Sequence, residues 1–141
     1  MNASMQTSSI ISSFRYRDAQ AAIDWLCRVF GFEKHAVYEG PNNTIAHAEL
    51  TLGGGMIMLG SGSDNAYDRL LKKPEETGGF VTQSAYLVVT NPDEIYERVK
   101  AAGGEIVLEN EDKPYGGRGF ACRDLEGYVW SLGSYDPWAP K

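Results

Sequence analysis

At 141 residues with 43% apolar side chains, the chain is long enough for one domain, or for two small modules sharing a core. A net charge of −6 argues against a nucleic-acid partner, which favours basic patches, and no apolar run approaches the roughly 18 residues that a membrane helix needs. Two cysteines, Cys27 and Cys122, without CxxC spacing point to a reducing, cytoplasmic setting rather than a disulfide scaffold.

Residues 1–9, MNASMQTSS, read as a polar, flexible leader without the basic start and long apolar stretch of a signal peptide. SSFRYR is the first strand candidate. In DAQAAIDWLCRVFGF, Asp18 supplies a helix N-cap, Ile23, Leu26 and Phe30 fall on one apolar stripe, and Gly31 ends the helix. EKHAVYE, TIAHAELTL and GMIMLG are three more strands. Residues 61–82 are polar, rich in glycine and hold Pro74, so they read as a linker or flap. SAYLVV then starts a second round. In NPDEIYERVKAAGGEI, Asn91 can cap, Pro92 suits the first helical position, and Ile95, Val99 and Ala102 make the stripe. EIVLEN, GRGFACR and YVWSLG are its strands, and residues 135–141 are a tail.

Both halves read β-α-β-β-β, and they register numerically. Ile23 and Ile95 are 72 residues apart (95 − 23); Gly54 and Gly127 are 73 apart (127 − 54), as are the runs at 57–59 and 130–132. Such a repeat predicts an α+β fold of two tandem βαβββ modules, residues 10–60 and 83–134.

Strand alternation sorts side chains onto two faces. One face takes Phe14, Tyr16, Ala46, Ala48, Leu50, Leu52, Trp130 and Leu132, and packs on the helices. The other carries Ile11, Ser13, Arg15, His47, Glu49, Thr51, Met56, Met58, Ser84, Tyr86, Phe120, Cys122, Val129 and Ser131. A dry core does not take an arginine, a histidine and a glutamate unpaired. The mixture of apolar and placed polar groups suits a ligand cavity; a solvated sheet face is the alternative.

His47 and Glu49 share this face as an acid–base pair, a polar ligand contact, a hydrogen-bonded pair supported by Arg15 or, with a ligand from elsewhere, a displaced metal site. With the constant offset of 73, Cys122 takes the place of Glu49 in the second repeat. It reads as a packing residue, with a nucleophile as the alternative. Tyr115 and Arg118 form a loop ahead of a cavity strand, where a tyrosine can stack on a flat group and an arginine can meet an anion.

The doubled plan, together with YRDAQAAIDWLCRVFGFE and RDLEGYVWSLGSYDPW, resembles the vicinal-oxygen-chelate superfamily of glyoxalase I, bleomycin-resistance proteins, fosfomycin-resistance enzymes and extradiol dioxygenases. The resemblance implies paired modules curling their sheets into a U-shaped cleft, and a homodimer. Metal enzymes of the superfamily take ligands from four strand positions, which fall here on Ile11, Met58, Ser84 and Ser131. None of these is the imidazole, thiolate or carboxylate that an open divalent site needs. The resemblance thus implies a protein without metal or other cofactor that binds a small molecule in its cleft, in the manner of antibiotic sequestration. The expected contacts are Arg15, His47, Glu49, Met58, Ser84, Tyr86, Tyr115, Arg118, Phe120, Cys122 and Ser131. The alternative is a glyoxalase-like lyase or isomerase, or a dioxygenase, using a non-standard metal site or none. Neither a nucleic-acid nor a membrane partner is expected.

Overall fold

The computed structural model describes residues 9–140. The expected leader, apart from Ser9, lies outside the described residues, as does Lys141 of the tail. The first module contains β1 (Ser12–Arg15), α1 (Ala19–Trp25), β2 (Glu33–Glu39), β3 (Ile45–Leu52) and β4 (Gly55–Gly60). The second contains β5 (Ala85–Val88), α2 (Pro92–Ala101), β6 (Glu105–Asp112), β7 (Arg118–Arg123) and β8 (Val129–Gly133). Each module forms its own four-stranded sheet, in the orders β1-β4-β3-β2 and β5-β8-β7-β6. The first strand of each lies parallel to the last, and the other pairs are antiparallel. The fold is therefore α+β, two βαβββ repeats, as the sequence predicts.

Local chemistry sets the helix ends. Asp18 accepts from the Ala21 N–H at 3.1 Å. The helix then widens into a π-helical turn, Leu26–Phe30, and stops at Gly31, whose φ of 93° favours glycine. Asn91 occupies the N-cap position of α2, but its side chain donates to Glu94 Oε2 at 3.0 Å instead of capping the backbone.

The helices lie between the two sheets. Trp25 Nε1 donates to the Ala102 carbonyl and Arg98 Nε donates to the Val29 carbonyl, both at 2.9 Å. Donors and acceptors are each separated by one repeat (98 − 25 and 102 − 29), so the two helices exchange equivalent bonds. Phe14 from the first sheet stacks on Trp130 of the second with centroids 5.0 Å apart, and Phe30 meets the same indole edge-on at 5.5 Å. The apolar faces of both sheets thus close one shared core. Their opposite faces point outward, away from each other.

The turn before β8 fastens the modules together. Asp124 is buried and accepts from Tyr16 Oη (2.6 Å), Trp130 Nε1 (3.0 Å) and the N–H groups of Glu126 and Tyr128 (3.0 and 3.1 Å). Burial pushes its carboxyl pKa up, and these donors pull the other way. Glu126 accepts from the N–H groups of Arg17 and Asp18, where a negative group complements the start of α1. Between the modules the chain forms a strap with two short 3₁₀ turns, Asp68–Leu70 and Pro74–Glu76. It is pinned by Asp68 Oδ1, which accepts from Arg15 Nε at 2.6 Å, and by buried Pro74 beneath Gly127.

The repeat offset is not constant, and this corrects two expectations. Leu52 pairs with Gly55 across a two-residue turn, whereas Asp124 donates to Tyr128 across a three-residue one. The added residue leaves β4 and β8 at an offset of 73 (131 − 58) but puts β3 and β7 at 72 (121 − 49): Glu49 sits opposite Met58, and Ala121 opposite Ser131. A one-residue slip turns every side chain over. Phe120 and Cys122 therefore face the core rather than the outer face. The Phe120 ring meets Tyr96 of α2 at 5.3 Å. Burial and the nearby charge of Asp124 push the Cys122 thiol up to about 12, which suits packing and not nucleophilic attack. A second slip occurs in β3, where Ala46 is an extra, exposed residue between Ile45 and His47, and Ile45 is buried instead.

Candidate functional site

Each module presents one outward wall. On the first, Ser13, Met58 and Glu49 stand abreast on β1, β4 and β3. His47 Nε2 lies 3.0 Å from Glu49 Oε2. His35 is the extra residue of a bulge in β2, and its Nε2 lies 3.9 Å from Glu49 Oε1. Both histidines of the chain thus converge on one carboxylate. The Tyr38 ring stacks on His47 at 6.1 Å and an interplanar angle of 24°. Glu49 keeps 27% of its side chain exposed, so the carboxylate is reachable from outside.

On the second wall, Tyr86, Ser131 and Ala121 occupy the matching places on β5, β8 and β7. Here a socket of about 230 Å³ opens, floored by Gly119 and Ala121 and bordered by Leu108, Tyr86 and Tyr115. Tyr86 Oη donates to the Tyr135 carbonyl at 2.7 Å, and Tyr115 meets Tyr135 edge-on at 5.0 Å. A methyl group on Gly133 would come within 2.9 Å of Tyr86 Oη, so glycine there lets the phenol lie against the sheet. Arg118 borders the socket but is committed to Asp93 (2.8 Å) and Asp112 (3.2 Å). These pairs hold its pKa up and that of Asp93 down.

The expected contact residues therefore divide into four groups. His47, Glu49 and Met58 lie on the first wall; Tyr86, Tyr115 and Ser131 belong to the second, where Arg118 only borders the socket and turns its guanidinium toward Asp93 of α2. Arg15 and Ser84 line a separate cavity under the strap, and Arg15 pairs with Asp68 rather than supporting Glu49. Phe120 and Cys122 are core. Sequence reasoning missed His35, Tyr38 and the Gly119–Ala121 floor. The pairing of β2 beside β3 was the available signal for the first two.

The residues do not fit the metal that the superfamily's enzymes hold. Met58 and Ser131 stand on walls that point apart, and Ile11 offers no donor atom. Among the described residues no group of three His, Cys, Asp or Glu side chains could hold a metal ion. Among the described residues no helix is long and apolar enough to cross a membrane.

The family model described as glyoxalase/bleomycin resistance protein/dioxygenase superfamily matches residues 11–132, and the chain belongs to this superfamily. An uncharacterised protein of Mycobacterium tuberculosis is 30% identical over 116 residues, covering 82% of this chain and 68% of the relative. The crystal structure of TioX from Micromonospora is similar at a TM-score of 0.65 and 32% identity, over 90% of this chain and 98% of that one. A fosfomycin resistance protein, FosX of Listeria monocytogenes, shares the fold at a TM-score of 0.65 and 16% identity, over 94% and 97% of the two chains.

Proposed function

We propose that the protein binds a small molecule without metal, taking a planar apolar part of the guest in the tyrosine-lined socket and a cationic part on Glu49. The observation that carries this reading is the contrast between the walls. Equivalent strand positions offer a small-residue floor on one and an imidazole–carboxylate cluster on the other. Aromatic borders suit a flat group, and a partly exposed carboxylate suits a cation. Because the walls of one chain point apart, two copies pair so that the first wall of one faces the second wall of the other, giving two clefts per homodimer. Membership of a superfamily that includes bleomycin- and fosfomycin-resistance proteins agrees with sequestration of an antibiotic-like compound.

The test is calorimetric titration with a panel of flat cationic compounds, including bleomycin-type glycopeptides, alongside sedimentation analysis. A dimer binding two guests is expected, unaffected by chelator. Glu49→Gln keeps the shape and should weaken binding about tenfold, as loss of a charge-assisted contact does, with little change in the melting temperature of the free protein. Binding that is indifferent to Glu49→Gln, or that requires an added divalent metal, would overturn the reading and favour the enzyme alternative.

A further inference from the structure

Beneath the strap lies a further cavity, which meets the first wall only at Ser13. It measures about 620 Å³ and lies between the strap, β1 and the start of β5. Phe14, Leu71, Pro74, Phe80 and Tyr128 give it an apolar surface, with contributions from both modules and the strap. Phe80 and Leu70 remain 78% and 79% exposed at its edge and form an apolar lip. A polar cavity of about 470 Å³ adjoins it, and Arg15, Leu71 and Lys72 border both.

The charges around this pair of cavities do not cancel. Asp68 takes Arg15, Asp64 takes Arg69, and Glu76 takes Lys73. Lys72 makes no hydrogen bond or ion pair among the described residues; its charge acts on Glu76 together with that of Lys73, and four cations against three carboxylates leave one positive charge in excess around the two cavities. Arg15 adds spare donors there. Its guanidinium lies over the Tyr67 ring at 5.3 Å, and its hydrogen bonds among the described residues, to Asp68, Ser13 and the Phe14 carbonyl, use Nε and Nη1 and leave the Nη2 hydrogens available. A net-negative protein thus keeps a local cationic point beside an apolar chamber.

We propose that this chamber is a second ligand site, taking an amphipathic carboxylate whose apolar body lies against Phe14, Leu71 and Phe80 and whose head sits on Lys72 and Arg15 Nη2. The charge preference is opposite to that of the outer walls, so the two sites take different compounds.

Titration calorimetry of the full chain with decanoate tests the site, with decyltrimethylammonium and decanol as controls of equal chain length. Decanoate should bind and the cation should not, while decanol should bind at least tenfold more weakly. Lys72→Gln, a change at an exposed side chain, should cost decanoate about tenfold in affinity. Phe80→Ala should weaken decanoate and decanol together, and Glu49→Gln should leave decanoate unaffected. Absence of binding, equal affinity for the three probes, or insensitivity to Lys72→Gln would overturn the proposal. So would loss of decanoate binding in Glu49→Gln, which places the acid on the outer wall. Concentration-dependent protection of the Phe80 segment without decanoate would assign the chamber to contact between copies instead.

Discussion

The two outward walls occupy equivalent places in the repeat and carry unlike chemistry. His47 and Glu49 on β3 correspond to Gly119 and Ala121 on β7, and Met58 on β4 to Ser131 on β8. On the inner faces the equivalents stay apolar: Leu59 and Leu132, Leu50 and Cys122, Ile57 and Trp130 are all buried. A shared core tolerates only side chains that fill it without unpaired polar groups. The outward faces carry no such constraint. The same backbone can therefore hold a charged cluster in one copy and an open socket in the other.

The contrast breaks most severely at the turns. Asp124 and Leu52 are equivalent, but only Asp124 gathers donors from both modules. Asp124→Ala leaves Tyr16 Oη, Trp130 Nε1 and two backbone N–H groups without their acceptor. It should cost about 3 kcal/mol or more and lower the melting temperature by roughly 10 °C, readable by calorimetry and by near-ultraviolet dichroism of Trp130. A loss within about 1 kcal/mol would show that the modules cohere without this clasp.

The walls themselves can be exchanged in character. Ser131→Leu puts a branched apolar group into the socket and should cut affinity for flat cationic guests at least tenfold, while Met58→Leu at the matching place should change it little. Equal effects in calorimetric titration would mean that the guest does not distinguish the walls.

The helix exchange is the symmetric feature against which these asymmetries stand. Arg98→Met removes the bond to the Val29 carbonyl and keeps the aliphatic stem. It should cost about 1 kcal/mol, read from the urea midpoint at unchanged slope. No loss would show that the carbonyl finds water as readily as arginine.

The smallest effect concerns the strap. The hydrogen bond from Arg15, followed by bonds from Ser63, holds the Asp68 carboxyl below its ordinary value of 3.8. A lowered pKa in the fold means that the pinning is fully present above that value and is lost as pH falls through the folded one. Hydrogen exchange of the Ser63 and Asp68 amides should therefore quicken in strong acid, relative to the β-strands, and Asp68→Asn should remove that pH dependence. An acid response that persists in Asp68→Asn would assign it to another carboxylate.

Strand and helix positions were legible because each depends on near neighbours. EKHAVYE and GMIMLG form β2 and β4 over the same residues, since alternation and flanking glycines are local properties. The repeat itself was legible from Gly54 and Gly127. The facing of β7 was not. It turns on one extra residue in the turn at 125–127, and a constant offset of 73 carries Phe120 and Cys122 to the wrong side.

The doubled βαβββ order and the helix limits follow from residue type and spacing along the chain, and the resemblance to the superfamily placed its metal positions on side chains that do not ligate a divalent ion. That the helices lie between the sheets and turn the walls apart, that Arg15 belongs to Asp68, and that His35 joins His47 at Glu49 emerges only from the folded chain. Those partnerships join strands or loops brought together by sheet pairing, a β-bulge and the path of the strap, and no local pattern in the sequence specifies which charged side chain reaches which partner.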